Sequence, residues 1–179
     1  MNLANKITIF RVFMIPVFLV CALGNFPNSQ YIAALVFVIA TSTDALDGYI
    51  ARKRNEITDF GKFMDPLADK LLVMAALIVL VEKGKIHSLI AIIILTREFI
   101  ITGLRTLAAA KGVVIAASWW GKLKTVTQMI ALILIMIDNF PFNKLGIPVD
   151  NIILYTATIV TIISGIDYIA RNIHLFDGN

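Results

Sequence analysis

Six long apolar stretches, at residues 7–24, 31–50, 61–81, 88–110, 119–137 and 151–170, constrain this chain more than any other feature. A helix needs about 20 largely apolar residues to cross a hydrocarbon core about 30 Å thick, and each stretch comes close to that length. Hydrophobic residues make up 59% of the 179 and charged residues only 16%, where a soluble domain carries about 25% charged. The mean hydropathy is +0.85. A water-soluble domain of this size could not hide that much apolar surface. Disordered, collagen-like and disulfide-scaffold chains fail on the same figures. The sequence therefore predicts an all-α integral membrane protein of six transmembrane helices, forming one domain over residues 1–179. Cys21 is the single cysteine and reads as a small buried hydrophobe.

Charge sets the expected topology. Lys6 and Arg11 flank and interrupt the first stretch, and no small-residue cleavage site follows, so a cleavable signal is not expected. The connection after the second stretch holds Arg52, Lys53, Arg54 and Lys62, and the fourth-to-fifth connection brings Arg105, Lys111, Lys122 and Lys124. Only Lys83, Lys85 and Lys144 fall on the opposite side. The positive-inside rule then puts both termini in the cytoplasm. The net charge of +4 reads as topology and attraction to anionic lipid, with no nucleic-acid partner expected. A short chain without a targeting extension suits a bacterial plasma membrane.

The carboxylates beside the second and third stretches carry most of the chemistry. Asp44 and Asp47 are spaced i,i+3, and Asp65 and Asp69 i,i+4, so each pair shares one helix face. A short hairpin would bring the pairs together at one membrane depth. Four converging carboxylates repel unless protonated or neutralised. Hard divalent cations with oxygen ligands are the natural solution, and two ions about 4 Å apart fit four carboxylates. Glu56 and Asp59, by contrast, read as solvated or capping acids. Gly48, Ala51 and Gly61 serve either helix packing or access of a bulky ligand to the backbone.

The pattern Asp-x2-Asp-Gly-x2-Ala-Arg-x8-Gly-x3-Asp-x3-Asp runs without a departure from Asp44 to Asp69. It resembles the signature of the CDP-alcohol phosphatidyltransferases, membrane enzymes of six helices that often form homodimers. The resemblance implies that Asp44, Asp47, Asp65 and Asp69 bind two divalent cations, Mg²⁺ or Mn²⁺, and that Asp69 is the general base. It further implies that Gly48, Arg52 and Thr58 hold a CDP-linked lipid, with Ala51 and Gly61 shaping the nucleotide pocket.

The acceptor alcohol must be read from other residues. Arg97 and Arg105, eight apart on the fourth helix, and Lys122 and Lys124 at the start of the fifth would suit a phosphate on the acceptor. The competing reading makes Lys122 and Lys124 topological anchors and pairs Arg97 with Glu98 or another acid. The segment from Asn5 to Arg11, the Arg97-Glu98 and Gly103-Leu104-Arg105 elements, and Gly121 to Thr125 with Gln128 look like the branch of the family that uses glycerol 3-phosphate. That likeness implies attack by its primary hydroxyl on CDP-diacylglycerol, giving phosphatidylglycerol phosphate and CMP, with Asn5 and Thr8 helping to hold the nucleotide.

Two alternatives remain open at this point. Another acceptor, such as phosphatidylglycerol, inositol phosphate or serine, would keep the metal site. A divalent-cation or proton-coupled transporter would also place acids in a membrane, though nearer the midplane and with repeat symmetry. Trp119 and Trp120 read as interfacial anchors, His87 and His174 as lone structural or solvated residues, and Asp167 with Arg171 as a local ion pair.

Overall fold

Runs of Leu, Ile, Ala and Met bounded by Gly, Pro and Asn form helices, because a helix satisfies its backbone groups within the run itself. The structure is a computed structural model that describes residues 3–54, 59–113, 115 and 118–172, with side chains described for 9–43, 70–113, 115 and 118–172. Glu56, Thr58 and His174 lie outside the described residues. Among those described there are six α-helices and no strand: α1 (Leu3–Leu23), α2 (Ser29–Arg54), α3 (Asp59–Glu82), α4 (Ser88–Ala110), α5 (Trp119–Met136) and α6 (Val149–Arg171). A 3₁₀ turn over Phe142–Leu145 precedes α6. The chain falls into two compact units, Met1–Lys83 and Gly84–Asn179.

In the first unit α1 packs on both α2 and α3. The rings of Phe18 and Phe37 meet with centroids 6.0 Å apart, tilted by 51°. Around them the buried positions mix small residues, Ala22 on α1, Ala33, Ala34 and Ala40 on α2 and Ala76 on α3, with the larger Leu72, Leu77, Val79 and Leu80 of α3. The large apolar residues Phe13, Val17 and Val20 of α1 and Leu35 and Ile39 of α2 face outward. Small residues where helices approach and bulky apolar ones facing outward suit a membrane-associated chain.

A test of that packing follows. Phe37 is 0% exposed, so Phe37→Ala leaves a cavity and is expected to cost roughly 2–3 kcal/mol, somewhat under the water-soluble figure because lipid solvates separated helices. The unfolding midpoint in detergent micelles reads this. Phe13→Ala, at a residue 68% exposed, should leave the midpoint unchanged.

In the second unit α6 packs on both α5 and α4. Two side-chain caps fix where helices begin: His87 Nδ1 accepts from the Leu89 N–H at 3.2 Å, and Ser118 Oγ accepts from the Gly121 N–H at 3.1 Å. His87 is therefore a capping residue. The α5–α6 connection is organised by Asn139, whose Nδ2 donates to the Ile147 carbonyl at 2.7 Å while its Oδ1 accepts from the Asp150 N–H at 3.2 Å. Lys85 reaches the same region, donating to Asp138 at 2.5 Å and to the Ile135 carbonyl at 3.3 Å. Ile159, Ile163 and Ile166 of α6 face outward. Thr158 and Thr161 are buried, their hydroxyls donating to the carbonyls of Leu154 and Ala157 at 2.8 and 2.7 Å.

The helices match the expected segments, and the all-α class holds. Six membrane spans are a finer matter. Among the described residues α6 alone is long and apolar enough throughout, while α1 and α2 contain the shorter apolar stretches Ile9–Leu23 and Ser29–Thr43. The physical reason is charge within the helices: Asp65, Asp69 and Lys70 in α3, Arg97, Glu98 and Arg105 in α4, Lys122 and Lys124 in α5.

Candidate active site

The candidate residues fall into two sets, one in each unit. In the first unit Asp44 and Asp47 stand one turn apart near the end of α2, and Asp65 and Asp69 one turn apart near the start of α3. Gly48, Ala51 and Arg52 share α2 with the first pair, and Gly61 shares α3 with the second. Asn5 and Thr8 lie in the first turns of α1. The side chains of all these residues lie outside those described. The helices α2 and α3 touch, and α1 packs on both. The donor set they carry is entirely carboxylate, which fits hard divalent cations rather than soft or imidazole-seeking metals.

Arg11, taken from the sequence as a charge interrupting an apolar run and as the end of the Asn5–Arg11 segment, is 1% exposed and among the largest buried side chains of the described residues. An arginine placed within an apolar helix costs too much to be incidental, which marks it as a functional candidate that the spacing analysis missed.

The second set is described in full. Lys124 on α5 is only 3% exposed, and its ammonium is paired with the Glu98 carboxylate on α4. The neighbouring Arg97 donates through Nη1 to the same carboxylate at 3.3 Å and through Nη2 to Ser164 Oγ on α6 at 2.7 Å. Gly165 leaves room for the stem of this side chain, and Gly121 lies at ordinary contact distance. A Cβ at Gly165 would meet Arg97 Cγ at 3.3 Å, and one at Gly121 would lie 3.7 Å from Nη2. Further along α4, Arg105 donates from Nε to the Tyr168 hydroxyl at 3.0 Å and lies 5.6 Å over the ring.

Arg97 and Lys124 share the Glu98 carboxylate in a largely buried setting. Unused hydrogen-bonding capacity accompanies it. Arg97 Nε and Gln128 Oε1 are buried without hydrogen-bond partners among the described residues, and Gln128 lies one turn after Lys124. A donor and an acceptor left open beside two cationic side chains suit a phosphate that also carries hydroxyl groups.

Of the expected acceptor residues, Arg97 and Lys124 thus meet around Glu98, while Arg105 is held separately by Tyr168. Lys122 is exposed, since two residues along a helix turn the side chain to nearly the opposite face. The Arg97–Glu98 pair expected in the competing reading is present. Asp167 and Arg171 form their i,i+4 pair at 2.7 Å, and Trp119 and Trp120 meet edge to face.

The family model for CDP-alcohol phosphatidyltransferase matches residues 1–163. The chain belongs to the CDP-alcohol phosphatidyltransferase family. Members of this family are membrane-associated and generally use divalent metal ions. One relative, from Bacillus subtilis, is 43% identical over 96% of this chain and 95% of its own, and is named CDP-diacylglycerol–glycerol-3-phosphate 3-phosphatidyltransferase. A relative of the same name from Haemophilus influenzae is 43% identical over 94% of this chain and 91% of its own. A third, from Mycobacterium tuberculosis, is named a probable phosphatidylglycerophosphate synthase and is 38% identical over 95% of this chain and 81% of its own. The phosphatidyltransferase match crosses the junction between the two units, so both belong to the family's shared sequence.

Proposed function

We propose that this enzyme transfers the phosphatidyl group of CDP-diacylglycerol to glycerol 3-phosphate, giving phosphatidylglycerophosphate and CMP. The observation that carries the reading is similarity over almost the whole chain to relatives named for this reaction. The cationic side chains of Arg97 and Lys124, with the Arg97 Nε left open, support a phosphorylated acceptor over a neutral or zwitterionic one.

Asp44, Asp47, Asp65 and Asp69 would hold two divalent cations, Mg²⁺ or Mn²⁺, which when bound offset charge on the pyrophosphate and in the transition state. Asp69 accepts the proton of the primary hydroxyl as its oxygen attacks the β-phosphorus. The new oxygen–phosphorus bond forms as the bond to CMP breaks. Asn5, Thr8, Gly48, Ala51, Arg52, Thr58 and Gly61 hold the cytidine diphosphate lipid. Arg97, Arg105 and Lys124 bind the acceptor phosphate, and Lys122 adds charge from the exposed side of α5. Residues 1–179 act as one catalytic domain with six membrane helices, in a bacterial plasma membrane, with both termini and the chemistry on the cytoplasmic side. A homodimer is the expected assembly.

Purified full-length protein should release CMP from CDP-diacylglycerol with glycerol 3-phosphate and Mg²⁺, and lose that activity to EDTA. Turnover with phosphatidylglycerol, inositol phosphate or serine instead would keep the family chemistry and reject the acceptor. No CMP with any acceptor, in folded protein, would reject the reading outright.

A further inference from the structure

The last helix contributes more than apolar surface. Ser164 and Tyr168 are one turn apart on α6 and are both buried, at 0% and 2% exposure. Each binds an arginine of α4: Ser164 Oγ accepts from Arg97 at 2.7 Å and the Tyr168 hydroxyl from Arg105 at 3.0 Å. Gly165, between them, leaves the space that the Arg97 side chain fills. Tyr168 is itself fixed, packed in a cluster with Ile101 and Leu104 of α4.

Long arginine side chains lose much rotamer freedom when they bind, so a partner that holds the guanidinium beforehand lowers the cost of capturing an anion. Ser164 occupies one edge of Arg97, and Glu98 takes another N–H, which leaves Nε buried and open. Tyr168 binds Arg105 at Nε and lies under its plane, which leaves the two terminal nitrogens for a bidentate contact with phosphate oxygens.

We propose that Ser164 and Tyr168 are positioning residues that set affinity for the phosphorylated acceptor by holding Arg97 and Arg105 in place. This rests on the reading that those arginines bind the acceptor phosphate. It assigns α6 a role in acceptor specificity that touches neither the lipid donor nor the proton transfer.

The experiment compares Ser164→Ala, Tyr168→Phe, Arg97→Ala, Arg105→Ala and the Tyr168→Phe/Arg105→Ala pair in the full-length enzyme. Steady-state kinetics are measured for both substrates, together with the thermal midpoint in micelles. Ser164→Ala and Tyr168→Phe should each raise KM for glycerol 3-phosphate about tenfold. KM for CDP-diacylglycerol and kcat should stay within about twofold of the parent enzyme, and the midpoint should not move. The double variant should be no worse than Arg105→Ala alone, because the hydroxyl acts only through that arginine. If the arginine variants raise the acceptor KM while the two α6 variants do not, the positioning role is wrong and the acceptor reading survives. Losses that add in the double variant, or that fall equally on both substrates, mean a structural role and also overturn it. Arginine variants with the parent KM for glycerol 3-phosphate overturn both ideas.

Discussion

Asp69→Asn is expected to lower kcat about a thousandfold or more while leaving the protein folded and able to bind CDP-diacylglycerol. The substitution keeps a side chain of the same size and one oxygen that can still face a cation. What it removes is the capacity to take a proton, and a positioned base contributes roughly 10²–10⁴ in rate. Loss of one negative charge from the donor set weakens cation binding as well, so the apparent Mg²⁺ requirement should rise. Two measurements separate the effects: kcat at saturating Mg²⁺ and the Mg²⁺ concentration giving half activity. A variant that regains full turnover at high Mg²⁺ would leave Asp69 a ligand and remove it as the base.

The second large effect is expected at Arg97. Its guanidinium is held by Glu98 and Ser164, and its stem lies against Gly165 of α6. A hydrogen bond to a charged group contributes about 1.5–3 kcal/mol. Arg97→Ala should therefore raise KM for glycerol 3-phosphate roughly 10- to 100-fold, with a far smaller change in KM for CDP-diacylglycerol. Arg97→Lys should recover little, because an ammonium lacks the fork that reaches Glu98 and Ser164 together. An equal rise in both constants would move Arg97 out of the acceptor pocket.

The fold was legible wherever apolarity alone decides an element. The stretch at 88–110 coincides with α4, and the others differ from their helices mainly at polar ends. The helix α2 continues through Ala51 to Arg54, and α1 begins at Leu3, because a helix does not stop where its sequence turns polar. The helix positions of the four aspartates were equally legible, since spacings of three and four along a helix are visible in one dimension. The links that hold the cations were not. Arg97 meets Ser164 and Arg105 meets Tyr168 across 67 and 63 residues, and no periodicity joins such positions. A weak signal did exist: Ser164 and Gly165 interrupt a helix otherwise rich in isoleucine, as small residues do where a neighbour comes close. Glu98 was legible as a partner for Arg97, but its simultaneous pairing with Lys124 depends on how α4 and α5 pack.

The packing of the described helices also sets where the sequence can drift. Ala40, Ala76 and Ala157 are fully buried, and a larger side chain at any of them would push helices apart. Ile159 and Ile166, facing outward, need only be apolar, so leucine, valine or phenylalanine should serve equally well there. Bulk is therefore held fixed from two directions: Phe37, Leu77 and Leu132 cannot shrink without leaving a cavity, and the buried alanines cannot grow. The outward isoleucines are the apolar positions left free to vary.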